Sequence, residues 1–218
     1  MIAFKFIIIA VISYLLGSLN FGVILSKGMK SEDVRDSGSG NAGTTNMLRT
    51  YGKTLGLLTR AGDILKVMLA IWLAFKIVSV EELKMTLDSA SDYPQVVLKS
   101  FAGLFAVLGH IFPCYFKFKG GKGVATSGGM VIAIDWRIAL ILLAIFALTI
   151  LITKYVSLGS ILMAIFYPVL IGIFYKDIIL VLIAFVFTVI VVVAHRENVK
   201  RLFNHTENKI GSKKKKKT

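Results

Sequence analysis

Apolar stretches long enough to cross a lipid bilayer recur along this chain of 218 residues. An α-helix rises about 1.5 Å per residue, so a bilayer core of about 30 Å requires roughly 20 apolar residues. We therefore expect an all-α, polytopic membrane protein with about seven transmembrane helices. The expected spans are Ala3–Leu25, Leu55–Val80, Val96–Phe112, Val124–Ile134, Trp136–Ile152, Val156–Phe174 and Ile178–Ala194.

Two of these spans are separated only by Asp135-Trp136-Arg137. If residues 124–152 formed one helix the chain would have six spans, but that helix would measure more than about 40 Å. Two helices joined by a tight turn are the favoured interpretation. The first span is longer than the apolar core of a signal peptide and leads into further apolar segments, so we expect it to be retained.

The composition excludes several other classes of protein. Hydrophobic residues make up 56% of the chain and charged residues 17%, whereas a typical soluble domain is about 25% charged. These values exclude collagen-like and intrinsically disordered chains. The single cysteine, Cys114, excludes a disulfide scaffold.

Positive charge is distributed unevenly between the two groups of loops. Most of the 26 Lys and Arg residues lie in loops 26–54 and 113–123, at Lys154 and in the segment after residue 195. Because Lys and Arg accumulate in cytoplasmic loops, we expect these loops and the C-terminus to lie in the cytoplasm and the N-terminus to lie outside. Residues 1–212 are expected to form one domain. Residues 213–218 form a lysine-rich tail that suits anionic lipid better than nucleic acid.

The first polar motif on the expected cytoplasmic side is rich in glycine, serine and asparagine. It reads Ser37-Gly-Ser-Gly-Asn-Ala-Gly-Thr-Thr-Asn46 and is followed by Arg49. Glycines let successive N–H groups converge on an anion, and an arginine fork suits phosphate. No strand precedes the embedded G-x-G-x-x-G, so a dinucleotide-binding fold is excluded. A merely flexible loop is the alternative.

The second motif joins the end of one helix to the start of the next. Gly109-His-Ile-Phe-Pro113 is followed by Lys119-Gly-Gly-Lys-Gly123. The next helix begins here, and its free N–H groups favour an anion. We expect Lys119 and Lys122 to point at the same charge, whereas juxtamembrane contact with lipid headgroups is the alternative. His110 is either a structural hydrogen-bonding residue or a functional one.

The third motif, His195-Arg-Glu-Asn198, begins where the last span ends. His195 and Asn198 are three residues apart, so they share one face if the helix continues. Both side chains can then bind a phosphoryl or carbonyl oxygen, and a helix-terminal histidine without a catalytic role is the alternative. Within the second span, Asp63 and Lys66 have a spacing that favours a structural ion pair.

The usual nucleophiles and metal ligands are missing from these motifs. The chain contains no G-x-S-x-G, has only three histidines, and places Cys114 beside no evident base. We therefore expect neither a metal site nor a cofactor. What the motifs offer is a group of cations and hydrogen-bond donors that can hold phosphate and developing negative charge.

The three motifs together resemble those of the bacterial acyl-phosphate:glycerol-3-phosphate acyltransferase family of integral membrane enzymes. The matching residues run from Ser37 to Arg49, from Gly109 to Thr126, and from His195 through Leu202 to Glu207. The one departure is His205, at a position where the resemblance leads us to expect glycine. The H-x-x-x-x-D pattern of acyltransferases that use coenzyme A is absent.

The resemblance implies transfer of an acyl group from acyl phosphate to the 1-hydroxyl of glycerol 3-phosphate, without an acyl-enzyme. It implies a location in the bacterial cytoplasmic membrane, with the active site on the cytoplasmic side. It also implies two substrates and a bilayer as partners, with no nucleic acid and no obligatory protein partner. The proton acceptor is either His195 or a phosphate oxygen of the substrate. The implied catalytic residues are Ser39, Arg49, Lys122, His195 and Asn198. The implied substrate-binding residues are Gly40, Asn41, Thr45, Asn46, Lys119, Gly120, Gly121 and Gly123.

Two other classes of function remain open at this stage. A transporter of phosphorylated solutes would place its polar residues near the middle of the membrane and often contains repeated halves. In this chain the motifs lie on one expected face, and no repeat is visible. A membrane scaffold held by its basic tail would leave the glycine and asparagine motifs unexplained.

Overall fold

The computed structural model describes residues 2–87 and 90–210. The predicted lysine-rich tail, residues 213–218, lies outside the described residues. Throughout the described ranges the secondary structure is helical, without strands, which confirms the all-α prediction. The helices are α1 (Ile2–Ser18), α2 (Phe21–Lys30), α3 (Thr44–Tyr51), α4 (Lys53–Ile77), α5 (Val80–Leu87), α6 (Pro94–Ile111), α7 (Val124–Ile134), α8 (Trp136–Thr153), α9 (Val156–Tyr175), α10 (Ile178–Ala194) and α11 (Arg196–Phe203).

Between residues 2 and 210, leaving out 88–89, four helical segments are long and apolar enough to cross a membrane. They are Ile2–Lys30, Pro94–Phe116, α8 and α9. The bent pair α10–α11 is a fifth if its two helices form one span. The polytopic prediction is therefore confirmed. The exact count of seven stays a prediction, since α4 carries Arg60, Asp63 and Lys66 within its length and α7 has only 11 residues.

Two aspartates in the turns between membrane helices cap the helices that follow them. Asp135 separates α7 from α8, as the sequence predicts, and its carboxylate accepts a hydrogen bond from the Arg137 amide. Asp177 caps α10 by accepting from the Ile179 and Leu180 amides. Such caps satisfy N–H groups that have no partner inside the helix.

Two glycines allow α1 and α6 to pack backbone against backbone. A Cβ atom on Gly17 would lie 2.0 Å from the Ala106 carbonyl oxygen, and one on Gly109 would lie 2.1 Å from the Tyr14 carbonyl oxygen. The Tyr14 hydroxyl donates to the Phe112 carbonyl at 2.6 Å. In membranes, small residues permit this kind of close contact between helices. The contact fixes the end of α6, where the second motif begins.

Contacts between loops show which of them share an end of the helical domain. At one end, Lys5 pairs with Glu82, and the Tyr93 and Tyr175 rings lie 4.9 Å apart. Loops 31–43 and 112–123 meet at the other end, and there the Ile210 amide also donates to the Lys154 carbonyl. This grouping agrees with the prediction that loops 26–54 and 113–123, Lys154 and the segment after residue 195 lie on the same side of the membrane. Which end faces the cytoplasm stays a prediction.

Candidate active site

The first motif forms a loop whose shape is set from within by two asparagines. Asn46 is buried; its Oδ1 accepts from the Ser39 amide at 2.8 Å, and its Nδ2 donates to the Val34 and Ser37 carbonyls at 3.0 Å. Asn41 Oδ1 accepts from the Gly43 amide at 2.9 Å. Both asparagines therefore hold the loop in shape, and their expected contact with substrate stays a prediction.

Other predicted residues of the first motif are available at its surface. Ser39, Gly40 and Thr45 are exposed, and so is Arg49 in the last turn of α3. Gly40 has a φ of 71°, a left-handed conformation that favours glycine. The loop thus presents a hydroxyl group and a guanidinium to ligands at this end of the molecule.

The glycines of the second motif let its loop lie directly on the end of α6. The Gly120 amide donates to the Ile111 carbonyl at 3.2 Å, and the Gly121 amide donates to the His110 carbonyl at 3.1 Å. A Cβ atom at Gly121 would lie 2.1 Å from His110 Nε2. These two amides are thus bonded within the protein, whereas Gly123, with a φ of 78°, starts α7.

Arg35 joins the first loop to the second. Its Nη1 donates to the Phe116 carbonyl at 3.0 Å and to the Lys119 carbonyl at 2.8 Å, and its guanidinium lies over the Phe116 ring. Asp33 binds the other side of the guanidinium, and these hydrogen bonds hold the pKa of Asp33 well below its usual value. Gly40, Lys119 and Gly120 consequently line one cleft of about 350 Å³.

The third motif lies at a bend of 61° between α10 and α11. The expectation that His195 and Asn198 share a face of one continuing helix is wrong, because the helix ends at Ala194 and restarts at Arg196. The two residues nevertheless stay together, since the Asn198 amide donates to the His195 carbonyl at 2.8 Å. Both are buried: His195 is 1% exposed and Asn198 is 4% exposed.

The imidazole of His195 is oriented by the backbone of α10. Its Nδ1 lies 2.8 Å from the Val191 carbonyl oxygen, which can only accept, so we assign the proton of the neutral ring to Nδ1. Burial lowers the pKa of His195 to about 4, and the nearby charge of Lys122 acts in the same direction. The ring is therefore neutral near pH 7 and carries a lone pair on Nε2.

Lys122 connects the second motif to the third. Burial, together with the positive charge of Arg201, lowers the pKa of Lys122 to about 8, and Glu207 opposes this shift. Lys122 and Glu207 are also close enough to influence the pKa of His195. The structure thus brings together Lys122, His195 and Asn198, three residues that the sequence analysis assigned to one site.

Glu207 also belongs to this group, although it was not among the predicted site residues. It accepts from Asn198 Nδ2 at 3.0 Å and from Arg201 Nε at 2.8 Å. The resemblance included Glu207 as part of the third motif, and that was the available signal. Its position after a turn, nine residues beyond Asn198, gave no helical spacing from which a contact could be inferred.

The described ranges 2–87 and 90–210 contain no group of three or more His, Cys, Asp or Glu side chains arranged to hold a metal ion. The polar groups that meet here are instead an ammonium, an imidazole, an amide, a guanidinium and the Glu207 carboxylate. Of these, the ammonium and the guanidinium suit a phosphorylated ligand.

Comparison with known proteins places the fold and the motifs in a family. A family model described as glycerol-3-phosphate acyltransferase matches residues 7–205. The glycerol-3-phosphate acyltransferase of Clostridioides difficile (strain 630) is 42% identical over 214 residues, which cover 97% of this chain and 98% of the relative.

The chain belongs to the glycerol-3-phosphate acyltransferase family. The resemblance drawn from the three motifs is thereby confirmed. The glycerol-3-phosphate acyltransferase of Bacillus subtilis (strain 168) is 40% identical over 203 residues, which cover 93% of this chain and 96% of the relative.

Solved structures of the family share the fold. The crystal structure of PlsY (YgiH), an integral membrane glycerol 3-phosphate acyltransferase, in its glycerol 3-phosphate form matches with a TM-score of 0.81 at 33% identity, over 94% of this chain and 96% of that chain. Its lysophosphatidic acid form matches with a TM-score of 0.78 at 32% identity, over 94% and 95%. The described fold is thus that of an integral membrane acyltransferase.

Proposed function

We propose that this protein transfers the acyl group of an acyl phosphate to the 1-hydroxyl of sn-glycerol 3-phosphate. The products are 1-acyl-sn-glycerol 3-phosphate (lysophosphatidic acid) and inorganic phosphate. The observation that carries this proposal is the meeting of Lys122 with His195 and Asn198 at one end of the helical domain, in a chain of this family. We place this end at the cytoplasmic face, with the two substrates and the bilayer as the only partners required.

The cations at this end of the molecule suit two phosphorylated substrates. Lys122 is partly buried yet keeps most of its charge at neutral pH, since its pKa of about 8 lies above 7. Arg49 supplies an exposed planar fork for a second phosphate oxygen. In this proposal both residues hold phosphate, and Ser39 and Asn198 donate to phosphate or to the oxyanion that forms on the acyl group.

The remaining candidate residues shape the binding site around the phosphate groups. Gly40, Lys119 and Gly120 line the cleft between the first two loops. Thr45 is exposed and adds a hydroxyl group on α3. Asn41, Asn46 and Gly121 hold the loops in place, and Gly123 allows α7 to begin with its N–H groups directed at the ligand.

The reaction requires one bond to form and one to break. The glycerol hydroxyl oxygen attacks the acyl carbon, the bond from that carbon to the phosphate oxygen breaks, and phosphate leaves. Because an acyl phosphate is a mixed anhydride with a good leaving group, no acyl-enzyme is needed. The hydroxyl proton is transferred to a phosphate oxygen of the substrate.

In this scheme His195 positions the attacking hydroxyl and does not take its proton. Its Nδ1–H is committed to Val191, so Nε2 of the neutral ring can accept a hydrogen bond but cannot donate one to phosphate. A pKa of about 4 also makes the ring a weak base at pH 7. This assignment replaces the expectation that the His195 side chain binds a phosphoryl or carbonyl oxygen.

The activity is tested with purified protein in detergent, acyl phosphate and glycerol 3-phosphate. We expect equimolar release of phosphate and formation of lysophosphatidic acid, and no product when acyl-coenzyme A replaces acyl phosphate. A transporter or a scaffold would release no phosphate in this assay. Product formation from acyl-coenzyme A alone would contradict the proposed donor.

The role of His195 is tested with His195→Gln, which removes the basic nitrogen but keeps a side-chain amide. Loss of a general base costs about 10²- to 10⁴-fold in rate. We expect kcat to fall by less than about tenfold if His195 only positions the hydroxyl. A loss of about a thousandfold would identify His195 as the base instead.

A further inference from the structure

Three ionisable side chains form a buried cluster beneath the second loop. Asp63 and Lys66 lie on α4 and His110 lies near the end of α6, with exposed fractions of 1%, 4% and 2%. Lys66 Nζ is 2.8 Å from Asp63 Oδ1, and His110 Nδ1 is 3.3 Å from the same oxygen. The ion pair predicted from the spacing of Asp63 and Lys66 is therefore present, and the His110 ring lies beside it.

Stability alone does not account for this cluster. Charged residues inside a membrane domain are costly, and apolar residues of similar volume often replace a buried ion pair without loss of stability. Within the described part of the chain, Asp63 Oδ1 is held by the Lys66 ammonium, whereas Oδ2 is buried and has no hydrogen-bond partner. An arrangement selected only for stability would not leave a buried carboxylate oxygen unsatisfied.

The ammonium of Lys66 links the starting points of two active-site loops. It donates to the Leu19 carbonyl at 2.9 Å, at the break between α1 and α2. From this break, α2 leads into the first loop. The same ammonium lies 2.9 Å from His110 Nδ1, close to the end of α6 from which the second loop begins.

His110 in turn supports the loop that carries Lys122. His110 Nδ1 lies closer to the Lys66 ammonium, at 2.9 Å, than to the Asp63 carboxylate, at 3.3 Å. Because an ammonium can only donate, we assign Nδ1 as the acceptor of the shorter contact, which fixes the orientation of the ring. On the other side of the ring, Nε2 lies against the backbone of Gly121, with no room for a Cβ atom. The Gly121 amide also donates to the His110 carbonyl at 3.1 Å. Lys122 is the next residue along the chain.

We propose that Asp63, Lys66 and His110 are positioning residues that set the location of Lys122 relative to the first loop. Asp63 holds the ammonium, the ammonium holds the imidazole and the α1–α2 break, and the imidazole supports Gly121. The proposal rests on the proposed function in one respect, namely that Lys122 binds a substrate phosphate.

A charge-neutral double variant separates positioning from stability. Asp63→Asn combined with Lys66→Met removes both charges together, so no unpaired charge stays buried. We expect a folded protein whose KM for glycerol 3-phosphate rises by about tenfold or more, with a smaller change in kcat, because a small displacement of a binding group is costly. A KM equal to that of the unaltered protein would overturn the proposal.

The matched control is the ion pair at the opposite end of the molecule. Lys5 Nζ lies 2.6 Å from Glu82 Oε2, far from the three motifs. Lys5→Met combined with Glu82→Gln also removes two opposite charges, and we expect KM to stay unchanged. An equal rise in KM in both double variants would show a general effect of lost ion pairs and would overturn the proposal.

A second measurement does not depend on catalysis. Hydrogen exchange of residues 117–123 is followed without substrate in the unaltered protein and in both double variants. We expect faster exchange at Gly120 and Gly121 in the Asp63→Asn/Lys66→Met variant only. If the unaltered protein transfers no acyl group, the proposed function fails while this measurement still tests the positioning role. Unchanged exchange would overturn the role even in an active enzyme.

If the Asp63→Asn/Lys66→Met variant does not fold, two variants of His110 test the proposal instead, since both leave the ion pair in place. His110→Asn provides an oxygen near the position of Nδ1, whereas His110→Leu provides no acceptor for Lys66. We expect the rise in KM and the faster exchange in the leucine variant, and a substantially smaller effect in the asparagine variant. Equal behaviour of the leucine variant and the unaltered protein would overturn the proposal.

Discussion

At the scale of single residues, Lys122 titrates within a range where the enzyme can be assayed. Its pKa is lowered to about 8, so the ammonium is present below that pH and is lost above it. In the proposed function the charged form of Lys122 binds phosphate, so we expect KM for glycerol 3-phosphate to rise as the pH increases from 7 to 9.5. Initial rates at several substrate concentrations across this range measure the effect.

The matched variant for this pH dependence is Lys122→Arg, which stays charged throughout the range. We expect the alkaline increase in KM to disappear in the arginine variant, whatever its activity at pH 7. An increase that persists at the same pH would show that a group other than Lys122 titrates.

His205 adopts a backbone conformation that glycine would accommodate at lower cost. Its φ is 55°, in the left-handed region, which explains why the sequence resemblance leads to glycine at this position. Since that region costs an L-residue about 1–2 kcal/mol, partly offset by the greater chain entropy of glycine, we expect His205→Gly to stabilise the protein by up to about 1 kcal/mol.

Thermal unfolding in detergent measures this change. The control is Asn204→Gly, because Asn204 precedes His205 and has an ordinary φ of −86°. There is no left-handed backbone strain at Asn204 for glycine to remove, so we expect no stabilisation from Asn204→Gly. A decrease in melting temperature for His205→Gly would contradict the assignment of strain.

At the scale of secondary-structure elements, the junction of α6 with the second loop tolerates no added side-chain atoms. A Cβ atom at Gly121 would meet His110 Nε2 at 2.1 Å, so His110 or the loop must move. We expect Gly121→Ala to destabilise the protein by about 1–3 kcal/mol, the usual cost of overpacking, and to raise KM for glycerol 3-phosphate.

Gly128, on the following helix, provides the comparison. A Cβ atom there would meet nothing within 4 Å. Because alanine favours a helix more than glycine does, we expect Gly128→Ala to be neutral or stabilising by up to about 1 kcal/mol. Similar losses of stability in both variants would mean that close packing at Gly121 is not the cause.

The elements themselves were predictable to different degrees. The start of α7 after Gly123 and the turn at Asp135 follow from glycine and from a capping carboxylate, both visible in the sequence. The break at Leu19–Asn20 divides an apolar stretch that looks continuous. There the Leu19 carbonyl is used by Lys66, 47 residues away, a contact that no local pattern encodes.

At the scale of the whole molecule, the predicted orientation can be tested by cysteine labelling, because only one native cysteine, Cys114, has to be replaced first. After Cys114→Ser, single cysteines are introduced at Met85, which is 81% exposed on α5, or at Glu197 on α11. We expect an impermeant maleimide to label Met85→Cys in intact cells and Glu197→Cys only after permeabilisation. The reverse pattern would invert the orientation.

The meeting of the motifs could be anticipated in part. Loop charge grouped the three motifs at one end, and the structure brings Lys122 close to His195. Which side chains face a ligand could not be predicted from residue type, because Asn46 and Ser39 both carry a hydrogen-bond donor and an acceptor. Only tertiary contacts decide that Asn46 is buried in the loop while Ser39 is exposed. The contribution of Arg35 depends on Phe116, which is 81 residues away.

The backbone contact between α1 and α6 bears on the order in which the protein assembles. Gly17 and Tyr14 form the surface on which the end of α6 rests, and the Ser18 hydroxyl accepts from the Cys114 amide at 3.4 Å. Because α1 precedes α6 in the chain, the ribosome releases α1 earlier. When residues 110–121 are made, the helix surface against which they pack is therefore already present, and we expect this loop to be able to fold before the last spans are made.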